Sequence, residues 1–177
     1  HRSVSRGLGD VYKRQGWMND FIEYMKNDPV FRGAHHDQLT FSMIYAYSEK
    51  FLLSISHDEV VHMKGSLYTK MPGDDAQKLS NLRLAYGYQV AHPGKKLLFM
   101  GQEFGQIREW SEQRGLDWEL LEEDGHKQLQ SYMKELLKLY KTCPALYEND
   151  FNSDGFEWIN CMEWEKNLLI FLRKTKK

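Results

Sequence analysis

Two short apolar runs, "FLLSIS" and "KLLFMG", stand on either side of one long helical pattern, and this spacing limits the fold more than any other feature of the chain. Each run is too short for a helix and is bounded by polar residues, which predicts buried strands over 51–56 and 96–100. Between them lies "MPGDDAQKLSNLRLAYGYQVAHPGKK". Asp74 followed three residues later by Gln77 is a capping-box-like start, Leu79, Leu82, Tyr86 and Val90 mark one apolar stripe, and Pro93-Gly94 is a stop. Strand, helix and strand of these lengths make a parallel βα unit. Two parallel strands leave both faces and both edges uncovered, so the chain reads as a piece of a larger sheet.

The flanking segments fit an α/β piece. Trp17, Met18, Phe21, Ile22 and Met25 recur at helical spacing, and Asp28-Pro29 closes that helix. A polar link, "FRGAHHDQ", leads to a second helix expected over Leu39 to Tyr47. Leu129, Tyr132, Met133, Leu136, Leu137 and Tyr140 predict a further amphipathic helix that Pro144 ends. In the tail, Phe156 to Cys161 and Leu168 to Arg173 read as two strands joined at Glu165-Lys166-Asn167, the beginning of an all-β domain. There is no internal repeat.

The first fifteen residues, "HRSVSRGLGDVYKRQ", have no helical or strand period and no apolar core of a secretory signal. They resemble read-through of a sequencing-library adapter, the alternative being a native disordered arm, and the segment is set apart as non-native or disordered. Without its four of the 24 basic and one of the 25 acidic residues, 20 remain against 24, a net −4. Neither this nor the overall −1 gives a reason to expect nucleic acid or an anionic membrane as partner. No apolar run approaches the roughly 18 residues of a membrane span. Cys143 and Cys161 have no zinc or CxxC spacing, which fits reduced thiols in a cytoplasmic protein.

The chemistry-bearing stretch is "SISHDEVVH", Ser54 to His62, because it lies where a parallel strand gives way to its loop. The second strand also delivers a carboxylate to that edge, through Gly101-Gln102-Glu103. Three readings compete. Glu59 and His62, with His57, have the spacing of a carboxylate metal motif, but there is no second such motif and no HExxH. A polar turn with Asp58 capping a helix is the bland reading. The third is carbohydrate chemistry, in which an acid and a histidine grip sugar hydroxyls and stabilise developing positive charge.

Four blocks carry a resemblance that periodicity does not provide: "HHDQLTFSMIY", "FLLSISHDEVVHMKGSL", "MPGDDAQKLSNLRLAYGYQVAHPGKKLLFMGQEFGQIREW" and "GLDWELL". In order and spacing they resemble the distal part of the bacterial-type 1,4-α-glucan (glycogen) branching enzymes of the α-amylase superfamily, and the similarity runs from Gly16 to the end. The resemblance implies the distal part of a (β/α)8 TIM barrel over 16–147, with Phe51 to Ser56 and Lys96 to Met100 as barrel strands seven and eight. Residues 148–177 would begin a C-terminal all-β sandwich. It further implies Asp58 as the catalytic transition-state stabiliser and His57 as the sugar contact of the central subsite.

Glu59, Glu103 and Trp110 are further candidate substrate contacts, with loop positioning the competing role for Glu103 and loop packing for Trp110 and Trp118. His62 and Arg108 lie beside the site, to shape subsites or hold loops. No metal or organic cofactor is implied, and the partner is an α-1,4-glucan in the cytoplasm. The family's nucleophile and acid/base residue belong to strands four and five, expected upstream of Gly16, so the chain alone is expected to be inactive. Two alternatives stay open: a non-catalytic glucan-binding or structural segment, and another α-amylase-family glycoside hydrolase.

Overall fold

The computed structural model describes residues 12–55, 60 and 63–176. Within these, β1 (Tyr12–Lys13), β2 (Phe51–Ser54) and β3 (Lys95–Leu97) form a parallel sheet in that order. β1 pairs Lys13 with Leu52, and β3 pairs Lys96 with Leu53 and Leu97 with Ser54. The helices are α1 (Gln15–Lys26), α2 (Asp37–Thr40), α3 (Leu67–Lys70), α4 (Asp75–Ala91) and α5 (Asp124–Thr142). A separate antiparallel hairpin joins β4 (Phe156–Glu163) to β5 (Leu168–Arg173). Among the described residues no helix is long and apolar enough to cross a membrane.

The helical periodicity translates directly into the core. Trp17, Met18, Phe21, Ile22 and Met25 of α1 are buried, and Trp17 stacks on Phe21 with ring centroids 5.0 Å apart. α4 starts at the expected box: the Asp74 carboxylate accepts from the Gln77 N–H at 2.9 Å, and the Gln77 side chain accepts from the Asp74 N–H at 2.8 Å. These two bonds satisfy groups that a helix N-terminus leaves unpaired. Leu79, Leu82, Tyr86 and Val90 face inward, where Leu129 and Met133 of α5 meet the same cluster. At the end of α4 the chain reverses at Gly94 with φ +119°, and a Cβ there would stand 3.2 Å from the Phe51 carbonyl. Only glycine permits that approach of α4's exit to β2.

Three expectations change. The helix over Leu39 to Tyr47 is instead α2 followed by a 3₁₀ segment, Phe41–Tyr45. Here the Ser42 carbonyl accepts from the Arg14 guanidinium, and the Ser42 hydroxyl bonds the Leu39 carbonyl at 3.2 Å and His92 Nε2 at 3.1 Å. With its backbone and side chain taken up by other elements, this residue does not support a continuous α-helical turn. Both strands also end early, β2 at Ser54 and β3 at Leu97. After Leu97 the Phe99 N–H turns to the Gln102 side chain, and Met100 and Gly101 take φ of 25° and 83°, which closes a turn. Finally, residues 12–15 of the leading segment take part in the fold. Beyond β1's pairing, Arg14 is buried, with its guanidinium over the Tyr45 ring at 4.7 Å.

The hairpin docks on the helical part through one buried acid. Asp150 accepts from Arg173 at 2.7 Å and from Lys95 at 3.0 Å, and Arg173 also donates to the Ala91 carbonyl at 2.9 Å. His36 meets the Cys161 carbonyl at 2.9 Å, and Asn167 donates to the Pro29 carbonyl at 3.0 Å. Asp150→Ala would strand a buried guanidinium, whereas Lys95→Ala leaves the Asp150–Arg173 pair intact. Urea unfolding should show a loss of about 3 kcal/mol for Asp150→Ala and about 1 kcal/mol for Lys95→Ala.

His92 adds a pH dependence. Burial pushes its imidazole well below the usual histidine range, and the Arg14 charge acts in the same direction. The Pro93 carbonyl, 3.0 Å from Nδ1, can only accept, so Nδ1 carries the proton of the neutral ring. In the unfolded chain the group takes up a second proton below about pH 6.5, so the unfolded state binds more protons there. Stability should therefore fall as pH drops from about 7 to 5, by up to about 1.4 kcal/mol per pH unit. Urea midpoints across that range check this, and His92→Gln should flatten the slope.

Candidate functional site

The C-terminal edge of β2 and β3 is organised by two carboxamides. Gln89, on α4, donates from Nε2 to the Leu53 carbonyl at 3.0 Å and the Leu97 carbonyl at 3.2 Å. Gln102, at the start of the 3₁₀ turn Gln102–Phe104, donates from Nε2 to the Ile55 carbonyl at 2.7 Å and accepts from the Phe99 N–H at 3.0 Å. Its own carbonyl accepts the Tyr86 hydroxyl at 2.7 Å. Both glutamines are buried. Where backbone pairing stops, these side chains continue the ladder and hold the two strand ends in register.

A second pair of contacts holds the loop that leaves β2. The Trp110 N–H donates to the Val60 carbonyl at 3.1 Å. The Glu109 carboxylate accepts from the Met63 N–H at 3.0 Å and the Gly65 N–H at 2.8 Å. The two described residues that flank 56–59 in sequence are thus each held, Ile55 by Gln102 and Val60 by Trp110. Both anchors belong to the loop after β3.

Of the predicted site residues, His57, Asp58, Glu59 and His62 lie outside the described residues. Glu103 is half-buried in the turn beside Gln102. Burial, and then the Glu103 charge, push the buried Tyr86 phenol up. Trp110 is half-buried with its ring edge-on to Phe99 at 5.3 Å. Arg108 reaches back to the buried Asp117, Nε to Oδ2 at 2.8 Å, and Gln106 donates to the same oxygen at 2.8 Å. That contact makes Arg108 a loop holder. Trp118 is 55% exposed, with its ring 5.0 Å from that of Phe104. Trp110 and Arg108 come together with Val60, Met100, Gln102 and Tyr86 around a small hollow, which Glu103 does not line.

The residues that sequence reasoning passed over are Gln89, Gln102 and Glu109. The first two sit in helix and turn patterns that give a polar residue no special weight. Glu109 adjoins Trp110, which was singled out, but its partners are backbone amides and leave no mark in sequence. Among the described residues no group of three or more His, Cys, Asp or Glu side chains could hold a metal ion. A cavity of ≈ 1240 Å³, lined by Tyr47, Phe151, Arg173 and Lys176 among others, lies toward the Asp150 cluster and not at this edge.

Over 171 residues, 96% of the chain, the sequence is 54% identical to the 1,4-alpha-glucan branching enzyme GlgB of Aquifex aeolicus. Its match is to the branching enzymes. The corresponding proteins of Hydrogenovibrio crunogenus and Geobacillus stearothermophilus are 55% and 53% identical, each over 97% of the chain. The branching-enzyme resemblance drawn from the four sequence blocks is thereby shown. The chain spans about a quarter of the length of these relatives, 24–27%. No protein-family model matches the chain.

The bracket at the sheet edge makes a direct prediction. Gln102→Met keeps the side chain's length but leaves the Ile55 carbonyl and the Phe99 N–H unpaired in a buried setting. Urea unfolding should show a loss of about 2–3 kcal/mol, with an unchanged slope against denaturant.

Proposed function

We propose that this chain is the C-terminal part of a 1,4-α-glucan branching enzyme, in which residues 16–147 complete a (β/α)8 barrel and residues 148–177 begin a β-sandwich. The observation that carries this reading is 51–55% identity to branching enzymes maintained over 95–97% of the chain. The parallel β2–α4–β3 unit supports it, since β2 and β3 then stand as neighbouring barrel strands seven and eight. In a barrel the C-terminal edge of such strands carries the chemistry.

In this reading the substrate is an α-1,4-glucan. The parent enzyme cleaves an α-1,4 link, holds the released chain as a covalent glycosyl-enzyme, and passes it to a glucose 6-hydroxyl to form an α-1,6 branch. Asp58 stabilises the oxocarbenium-like transition state. An ionised carboxylate binds the flattened, positively charged ring more tightly than the relaxed one, and that difference lowers the barrier. His57 contacts the sugar in the central subsite. Glu59, Glu103 and Trp110 are candidate contacts around it. The retaining mechanism also needs a nucleophilic carboxylate and an acid/base carboxyl about 5 Å apart. Both belong to upstream strands in that family. No step requires a metal or organic cofactor, and the setting is cytoplasmic, with neither nucleic acid nor membrane as partner.

Two assays test this. The purified 177-residue chain, incubated with amylose, should give no α-1,6 linkages by proton NMR; branching by the chain alone would overturn the placement of the missing carboxylates. A chimera in which this segment replaces the matching quarter of the Aquifex aeolicus enzyme should branch amylose, and Asp58→Asn in it should lower kcat by about 10²–10³-fold or more. Hydrolysis without branching by the unsubstituted chimera would favour a hydrolase instead.

A further inference from the structure

The turn that follows the candidate site is built in an unusual backbone conformation. Met63 and Gly65 have φ of 69° and 72°. A left-handed conformation is open to glycine, but for a residue with a side chain it costs about 1–2 kcal/mol. Met63 gains nothing from packing in return, since it is 97% exposed. What the conformation does achieve is to turn the N–H groups of residues 63 and 65 in one direction, toward the Glu109 carboxylate, at 3.0 and 2.8 Å. Converging backbone N–H groups form a concave anion site, and here a side chain from the neighbouring loop occupies it. Hydrogen bonds to an ionised acceptor are about twice as strong as neutral ones, enough to hold Met63 in its strained state.

Glu109 is itself held. Its carbonyl accepts from Arg114 at 2.8 Å, and the next residue, Trp110, bonds the Val60 carbonyl. The segment between Ile55 and Gly65, which carries His57 and Asp58, therefore has its downstream end fastened to the loop after β3 at two consecutive residues.

We propose that Glu109 is a positioning residue: its carboxylate, seated on the Met63 and Gly65 amides, fixes the turn at residues 63–65, which follows Asp58 in sequence, and catalysis depends on that turn being held. It acts through the backbone and does not touch substrate. Its consequence for catalysis rests on the branching-enzyme reading; its hold on the loop does not.

The test has one arm for each. In the ¹⁵N-labelled 177-residue chain, the Met63 and Gly65 amide shifts should move together with one midpoint in the carboxylate range. Glu109→Gln should abolish that titration and speed hydrogen exchange at both amides by about tenfold or more, with α4 and α5 unchanged. Failure of both amides to titrate in the unsubstituted chain, or unchanged shifts and exchange in Glu109→Gln, would overturn the proposal; if that variant does not fold, the titration decides. In the chimera, Glu109→Gln should lower kcat about tenfold or more with KM little changed, as expected for a residue that acts without touching substrate. Full kcat in Glu109→Gln would also overturn the role assigned to it. An unsubstituted chimera without branching activity counts against the function reading alone, and the amide measurements still decide the role of Glu109.

Discussion

Two buried carboxamides, Gln89 and Gln102, hold together a sheet whose strands are too short to do it themselves. β1 and β2 share two residue pairs and β2 and β3 three. Gln89 bridges the carbonyls of Leu53 and Leu97, and Gln102 bridges Ile55 and Phe99. A carboxamide suits this position because it both donates and accepts without carrying a charge into the interior. The loops at this edge depart from fixed points for that reason: Ile55, which precedes the stretch with His57 and Asp58 in sequence, is held by a residue on another turn.

The elements legible in the sequence are those that their own residues specify. α4 has its cap, its stripe and its stop within one stretch, and the hairpin over Phe156–Glu163 and Leu168–Arg173 alternates as a half-buried ribbon should. Where the partner lies elsewhere in the chain, the local signal misleads. The segment from Leu39 carries helix-compatible residues, yet Arg14 and His92 claim Ser42 and tighten it into a 3₁₀ path. Tyr12–Lys13 has no strand pattern of its own and becomes a strand only because β2 offers it an edge.

The site divides in the same way. Candidate chemistry-bearing residues announce themselves by type and by their place after a strand, and His57 and Asp58 are proposed on that signal. The residues that would aim them bond to main-chain amides and carbonyls, and no residue type at the partner position marks such a contact. Arg108 illustrates the intermediate case: its position was noticed, but its engagement with Asp117 needed the fold.

Backbone acceptors recur beyond the site. The Ala91, Cys161 and Pro29 carbonyls receive the hairpin and its neighbours, Leu39 receives Tyr88, and Arg83 receives Tyr132. Each of these contacts constrains one side chain and leaves the identity of the other residue free. Sequences that diverge from this one can exchange the acceptor residue without loss of the bond, while the donor must be retained or replaced by another of equal reach. The architecture therefore drifts asymmetrically: half of every such junction is open to substitution, and pairwise covariation between the two positions is not expected to record the contact.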